Sequence, residues 1–142
     1  MAVTGYPSFD ATVHKTNGVL REIEDAYGWP KERRNQSYAA LRGVLHALRD
    51  RLTVEEAAQL GAQLPMLMKG IYYDGWDPSR VPVKLHREEF LERVRKAFPY
   101  EVEGGLEGLV QTVLRALRAY VTEGEWDDIK SSVPRDLESV LP

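Results

Sequence analysis

The sequence predicts an all-α protein of about eight helices in two related halves, and three observations carry that expectation. Apolar residues recur at helical spacing along the chain, and no stretch shows the strict alternation of a half-buried strand. Leu41 to Tyr73 and Val110 to Pro142 align without a gap at an offset of 69 residues, with 8 identities in 33 positions. Those identities, which include Val44/Val113, Leu48/Leu117, Arg49/Arg118, Thr53/Thr122, Glu56/Glu125 and Pro65/Pro134, are mostly core, cap and turn residues. At 142 residues the chain has the length of one domain with a sizeable core. The expected layout is a flexible N-terminus over 1–7 and a single helical domain over 8–142. Copy one covers about 8–73, a linker 74–85, and copy two about 86–142. Each half alone leaves an apolar face bare, so the two are expected to pack together about an approximate two-fold axis.

Each element follows from local chemistry. Ser8 is a candidate N-cap for a first helix reaching Ala26, with Phe9, Val13, Leu20, Ile23 and Tyr27 on one face and Gly28-Trp29-Pro30 as its stop. The second helix is expected over Lys31 to Arg51, with the stripe Tyr38, Leu41, Val44, Leu45, Leu48 and Leu52. Thr53 and Glu56 make a capping box that opens the third, and Pro65 ends it and opens a short fourth to Tyr73. Gly75, Pro78 and Pro82 mark a turn-rich connection. A fifth helix near Arg87 to Phe98 matches the end of the first at an offset of 71. A sixth runs from about Leu106 to Val121, Thr122 and Glu125 repeat the capping box for the seventh, and Pro134 opens the eighth.

Composition narrows the function classes. With no cysteine there is no disulfide, thiolate zinc site or cysteine nucleophile. Met1 to Pro7 has neither a basic n-region nor an apolar stretch, and no segment approaches the ~20 apolar residues of a membrane span, so a soluble cytoplasmic protein with no membrane partner is expected. The net charge of −3 lacks the cationic excess of a general nucleic-acid binder. Residues 31–51 are a local exception, with a surplus of four positive charges.

The runs Tyr38-Ala39-Ala40-Leu41-Arg42-Gly43-Val44-Leu45-His46-Ala47-Leu48-Arg49-Asp50-Arg51-Leu52, Ala62-Gln63-Leu64-Pro65 and Gly70-Ile71-Tyr72-Tyr73-Asp74-Gly75-Trp76 resemble a bacterial family of helical proteins known as domain of unknown function 2267. The resemblance covers about Phe9 to Pro142. It implies an all-α fold and a bacterial intracellular setting, and brings no catalytic residue, ligand or cofactor with it.

Catalytic equipment is sparse. His46 sits one position from the apolar stripe of its helix, and His86 with Glu89 is an unpaired, reversed fragment of a dimetal motif, so no metal and no cofactor are expected. Serines lie in no nucleophile elbow, Asp127 and Asp128 point apart on a helix, and Gly104-Gly105 lacks a Walker lysine. An enzyme is therefore not the expectation. The candidate binding residues are Tyr72, Tyr73 and Trp76 in an aromatic turn without counterpart in copy two, Arg33 and Arg34 on the basic stretch, and the repeated pair Arg49 and Arg118. Trp76 has a second reading as a lid that plugs the gap between halves. The arginine pair has one as a structural tie to a capping glutamate or a helix-end carbonyl. The leading functional expectation is a non-enzymatic protein-interaction or regulatory module, stress-associated, with homo-oligomerisation open. Small-molecule or anion binding between the halves and nucleic-acid binding through 31–51 stand as alternatives.

Overall fold

Proline at the first helical position starts the chain's longest helix one residue before the serine expected to cap it. In the computed structural model, which describes residues 4–142, α1 spans Pro7–Tyr27 with Tyr6 as N-cap. Pro7 has the φ a helix needs and lacks the N–H that the first turn would leave unbonded, so Ser8 is helical rather than a cap. Of the stretch expected to be flexible, residues 1–3 lie outside the described part, and Thr4 N–H donates to Asp10 Oδ1 at 2.7 Å. Gly28, at φ 65°, closes α1 in the left-handed conformation while Trp29 N–H returns to Glu24 O.

A single 3-10 turn at Lys31–Arg33 leads into α2 (Arg34–Arg51), which packs against α1 and three later helices and forms the centre of the molecule. Thr53 and Glu56 then make the full capping box of α3 (Val54–Gln63): Glu56 N–H donates to Thr53 Oγ1 and Thr53 N–H to Glu56 Oε1. Pro65 is the N-cap of α4 (Met66–Tyr73). The connection that follows is pinned to the end of α2 by Val83 N–H donating to Asp50 O at 2.7 Å. α5 (Arg87–Ala97) crosses α2 so closely that a Cβ on Gly43 would lie 2.7 Å from Ala97 Cβ.

Copy two departs from the sequence expectation in two places. α6 (Gly105–Ala116) stops five residues before Val121, because Leu117 and Arg118 N–H bond three residues back, to Leu114 and Arg115 O. Val121 is buried nonetheless, as is its counterpart Leu52. Second, only half of the repeated capping box forms at α7 (Glu123–Ser132). Thr122 Oγ1 accepts Glu125 N–H, but Thr122 N–H donates to Gln63 Oε1 at 2.9 Å. The glutamate thus released is buried, and desolvation, helped by Asp128 and Glu56, holds its carboxyl above the ordinary range. Pro134 caps α8 (Arg135–Glu138), a single turn.

Among the described residues there are eight α-helices and no strand. The aligned pairs Val44/Val113, Leu45/Leu114, Ala47/Ala116, Leu48/Leu117 and Leu60/Ile129 are buried in both copies, and one apolar core takes side chains from both. No helix among the described residues is long and apolar enough to cross a membrane.

Candidate functional site

The apolar stripe of α1 divides in two. Its C-terminal part reaches the core through Val19 and Ile23, whereas Phe9 and Val13 are left facing an open groove of about 590 Å³ between α1 and α4, bordered by Tyr38 of α2. Met66, Leu67 and Ile71 supply its α4 wall. Of the seven exposed large hydrophobics among the described residues, Phe9, Tyr38, Met66 and Leu67 line this one groove, and the ring of a fifth, Tyr6, lies 5.1 Å from that of Phe9. Exposed apolar residues scattered singly are ordinary; their concentration in one concave strip is not. Sequence periodicity had placed Phe9 and Val13 on a core face. Periodicity reports which face is apolar, but no other element among the described residues covers its first turns.

The groove is held by polar ties. Pro65 gives α4 no side-chain cap, so Leu67 N–H donates instead to Thr12 Oγ1 of α1 at 2.8 Å. His46 Nε2–H donates to Ile71 O at 2.7 Å from the α2 side. Arg42 reaches Asp74 at 3.2 Å. Arg34 and Arg42 lie one helical turn to either side of Tyr38, and each stands beside a carboxylate, Glu24 at 3.6 Å and Asp74 at 3.2 Å.

His46 has a defined protonation state. Burial, opposed by its bond to Ile71 O and reinforced by Arg49 and Arg42, holds its pKa below the ordinary histidine value. The unfolded chain therefore binds this proton more readily. The stabilisation from neutral His46 is complete above the ordinary value and is lost as pH falls through the lowered one. Urea denaturation of the wild type and a His46→Gln variant should show a stability difference that favours the wild type at pH 7.5 and shrinks on acidification towards pH 5. A difference independent of pH would contradict this assignment.

The residues singled out from sequence lie mostly elsewhere and are otherwise engaged. Tyr72 is completely buried; its hydroxyl donates to Ala57 O at 2.8 Å and burial drives its pKa upward. Tyr73 packs against Gly61, where any Cβ would collide with its ring. Trp76 is half-buried, with its ring centre 5.3 Å from that of Tyr73 and its Nε1 enclosed without a partner. The aromatic turn is thus packed inward as a lid and does not form an open recognition surface.

The arginine pair separates. Arg49, 5% exposed, donates through Nη1 to Tyr72 O and Asp74 O at 2.8 and 2.6 Å, and through Nε to Asp50 at 3.0 Å. It caps the end of α4 and does not reach the capping Glu56. Arg118 is exposed and lines a different recess with Trp126 and Lys130, so the two do not share a cleft. Arg33 lies over the Trp29 ring at 4.7 Å, and Arg34 is 3.6 Å from the buried Glu24. Nine of the 18 residues of α2 are buried, and only Arg34, Asn35 and Tyr38 near its start are exposed.

Sequence reasoning also missed a chain of aromatic contacts joining the halves. Ring centres are 4.8 Å apart for Tyr27 and Trp29, 6.0 Å for Trp29 and Phe98, and 5.2 Å for Phe98 and Tyr100. The match of Tyr27 to Phe98 was the available signal, though it gives no contact across the halves. Among the histidines, His14 is exposed, and Glu89 accepts the His86 backbone N–H, which occupies half of the suspected metal motif.

The family model described as "Uncharacterized conserved protein (DUF2267)" matches residues 16–140. No curated protein matches the chain.

Proposed function

For a chain that belongs to the DUF2267 family of uncharacterized conserved proteins, we propose a non-enzymatic interaction module of the bacterial cytoplasm that seats an amphipathic helix of a partner protein between α1 and α4. The observation that carries this reading is the gathering of Phe9, Tyr38, Met66 and Leu67 in one groove. Its shape favours a helix. Phe9 and Val13, Met66 and Gly70, and Leu67 and Ile71 are i, i+4 pairs that form rows along both walls. A Cβ on Gly70 would meet nothing within 4 Å, so the α4 wall has a notch into which an apolar side chain fits.

The two sequence-matched halves are read as a duplication in which copy one kept an uncovered groove. The equal cap and core roles of the aligned residues support that reading.

The test uses a helical peptide with leucines at i, i+3 and i+7 and glutamates along one flank, titrated into the full chain by NMR. Perturbed resonances should centre on Phe9, Tyr38, Met66 and Leu67, and a Met66→Glu/Leu67→Glu variant should bind at least about tenfold more weakly, a loss of roughly 1.4 kcal/mol. Both positions are exposed, so the fold should tolerate the change. Absence of groove shifts with the peptide would discard the helix-binding reading, and sedimentation as a dimer dissociated by the double substitution would assign the groove to self-association.

A further inference from the structure

The α2–α5 crossing encloses a second recess of about 380 Å³, bordered by Arg49 and Asp50 from α2 and Arg93 and Lys96 from α5. It lies between an element of copy one and an element of copy two. An anion site between the halves with Arg118 as its second arginine is one of the alternatives the sequence offers, whereas here Arg93 and Lys96 take that place. Three permanent cations face one carboxylate, leaving a surplus of two positive charges. Asp50 accepts Arg49 Nε at 3.0 Å and Arg93 Nη1 at 2.8 Å, so it fixes both guanidinium groups without neutralising the recess. Arg49 is otherwise turned to the backbone carbonyls of Tyr72 and Asp74.

Arg93 differs. Its Nε and Nη2 make no hydrogen bond among the described residues, and the Lys96 ammonium has no partner there either. These two residues are one turn apart on α5, so their free donors converge on neighbouring parts of the same surface. His46 also borders the recess but adds no charge, since its Nε2–H is committed to Ile71 O and the imidazole stays neutral. Asp50 holds the Arg49 and Arg93 guanidinium groups in place before any ligand arrives, which lowers the reorganisation cost of binding an anion.

We propose that this recess binds the phosphate group of a phosphate monoester, with Arg93 and Lys96 as the direct contacts and Asp50 as the positioning residue. A phosphate dianion matches the surplus of two charges, and the guanidinium edge matches a pair of phosphate oxygens. Gly43, Ala47 and Ala97 form the closely packed floor of the recess, so the organic part of the ester would lie on its solvent side.

The experiment titrates the full chain with inorganic phosphate and with phenyl phosphate at constant ionic strength, followed by NMR. Saturable shifts should appear at His46, Asp50, Arg93 and Lys96 with both ligands. Lys96→Gln, at an exposed and unpaired position, should weaken binding about tenfold while leaving the unfolding transition in place. The His46 pKa should rise in the presence of phosphate, because a bound anion offsets the field of Arg49 and Arg42. Shifts that do not saturate, that sodium chloride reproduces, or that persist unchanged in Lys96→Gln would overturn the site. Tighter binding of succinate than of phenyl phosphate would overturn the assignment to phosphate.

Discussion

Arg49→Met is expected to destabilise the protein by about 3 kcal/mol, whereas Arg118→Met at the aligned position should change stability by less than about 0.5 kcal/mol. Methionine approximates the volume of the arginine stem and removes the guanidinium. Tyr72 O and Asp74 O then lose their donor at the buried end of α4, and Asp50 keeps only Arg93. The buried Tyr72 carbonyl and the part-buried Asp74 carbonyl left without a donor account for most of the cost. Arg118 is exposed and makes no hydrogen bond or ion pair among the described residues, so its removal leaves nothing unpaired. Urea denaturation of both variants at pH 7 provides the measurement. Equal effects at the two positions would mean that the aligned arginines do the same work, contrary to the structure.

The second large effect is expected at Gly43. Replacement by valine should cost roughly 3 kcal/mol, near the upper end for an overpacked core. The new Cβ would stand 2.7 Å from Ala97 Cβ, against the about 3.5–4.0 Å of an ordinary carbon contact, so α2 and α5 would have to separate by about 1 Å. That displacement disturbs the central crossing, where Val44 and Leu48 of α2 and Val94 of α5 are buried. Ala97→Gly introduced with Gly43→Val should recover part of the loss, because it removes the atom that the valine meets. Thermal or urea unfolding of the two single variants and the double variant gives the coupling; additive effects would place the strain elsewhere.

Legibility from sequence followed the range of the interactions concerned. Thr53 and Pro65 were readable because a cap or a proline acts within one turn, and both stand at the element boundaries expected. Thr122 shows where that reasoning stops. Its hydroxyl caps α7 as the local pattern requires, but the partner of its backbone N–H is Gln63, 59 residues away. No local pattern weighs a distant amide against a nearby glutamate. The end of α6 was missed for a similar reason, since residues 117–121 are drawn into tight turns while Val121 remains buried in the core.

The candidate site was less legible than the fold. Aromatic and basic residues were the natural candidates, because Tyr, Trp and Arg dominate recognition surfaces in general. Here Tyr72 and Arg49 serve the end of α4, Trp76 packs on Tyr73, and Arg33 covers Trp29. The groove instead uses Phe9, which periodicity places on the apolar face of its helix, and Met66 and Leu67, which no local pattern singles out.

By itself the sequence determined the all-α class, the Thr53 and Thr122 caps and the set of apolar faces, because each depends on backbone preferences and side-chain spacing within a few turns. Tertiary structure alone decided which apolar faces are covered. It also decided that Arg49 is buried while Arg118 is exposed, and that Arg93 and Lys96 join Asp50 in one recess. Burial and charge pairing depend on residues brought together from distant parts of the chain, and identical residues in matching helices acquire different roles when their neighbours differ.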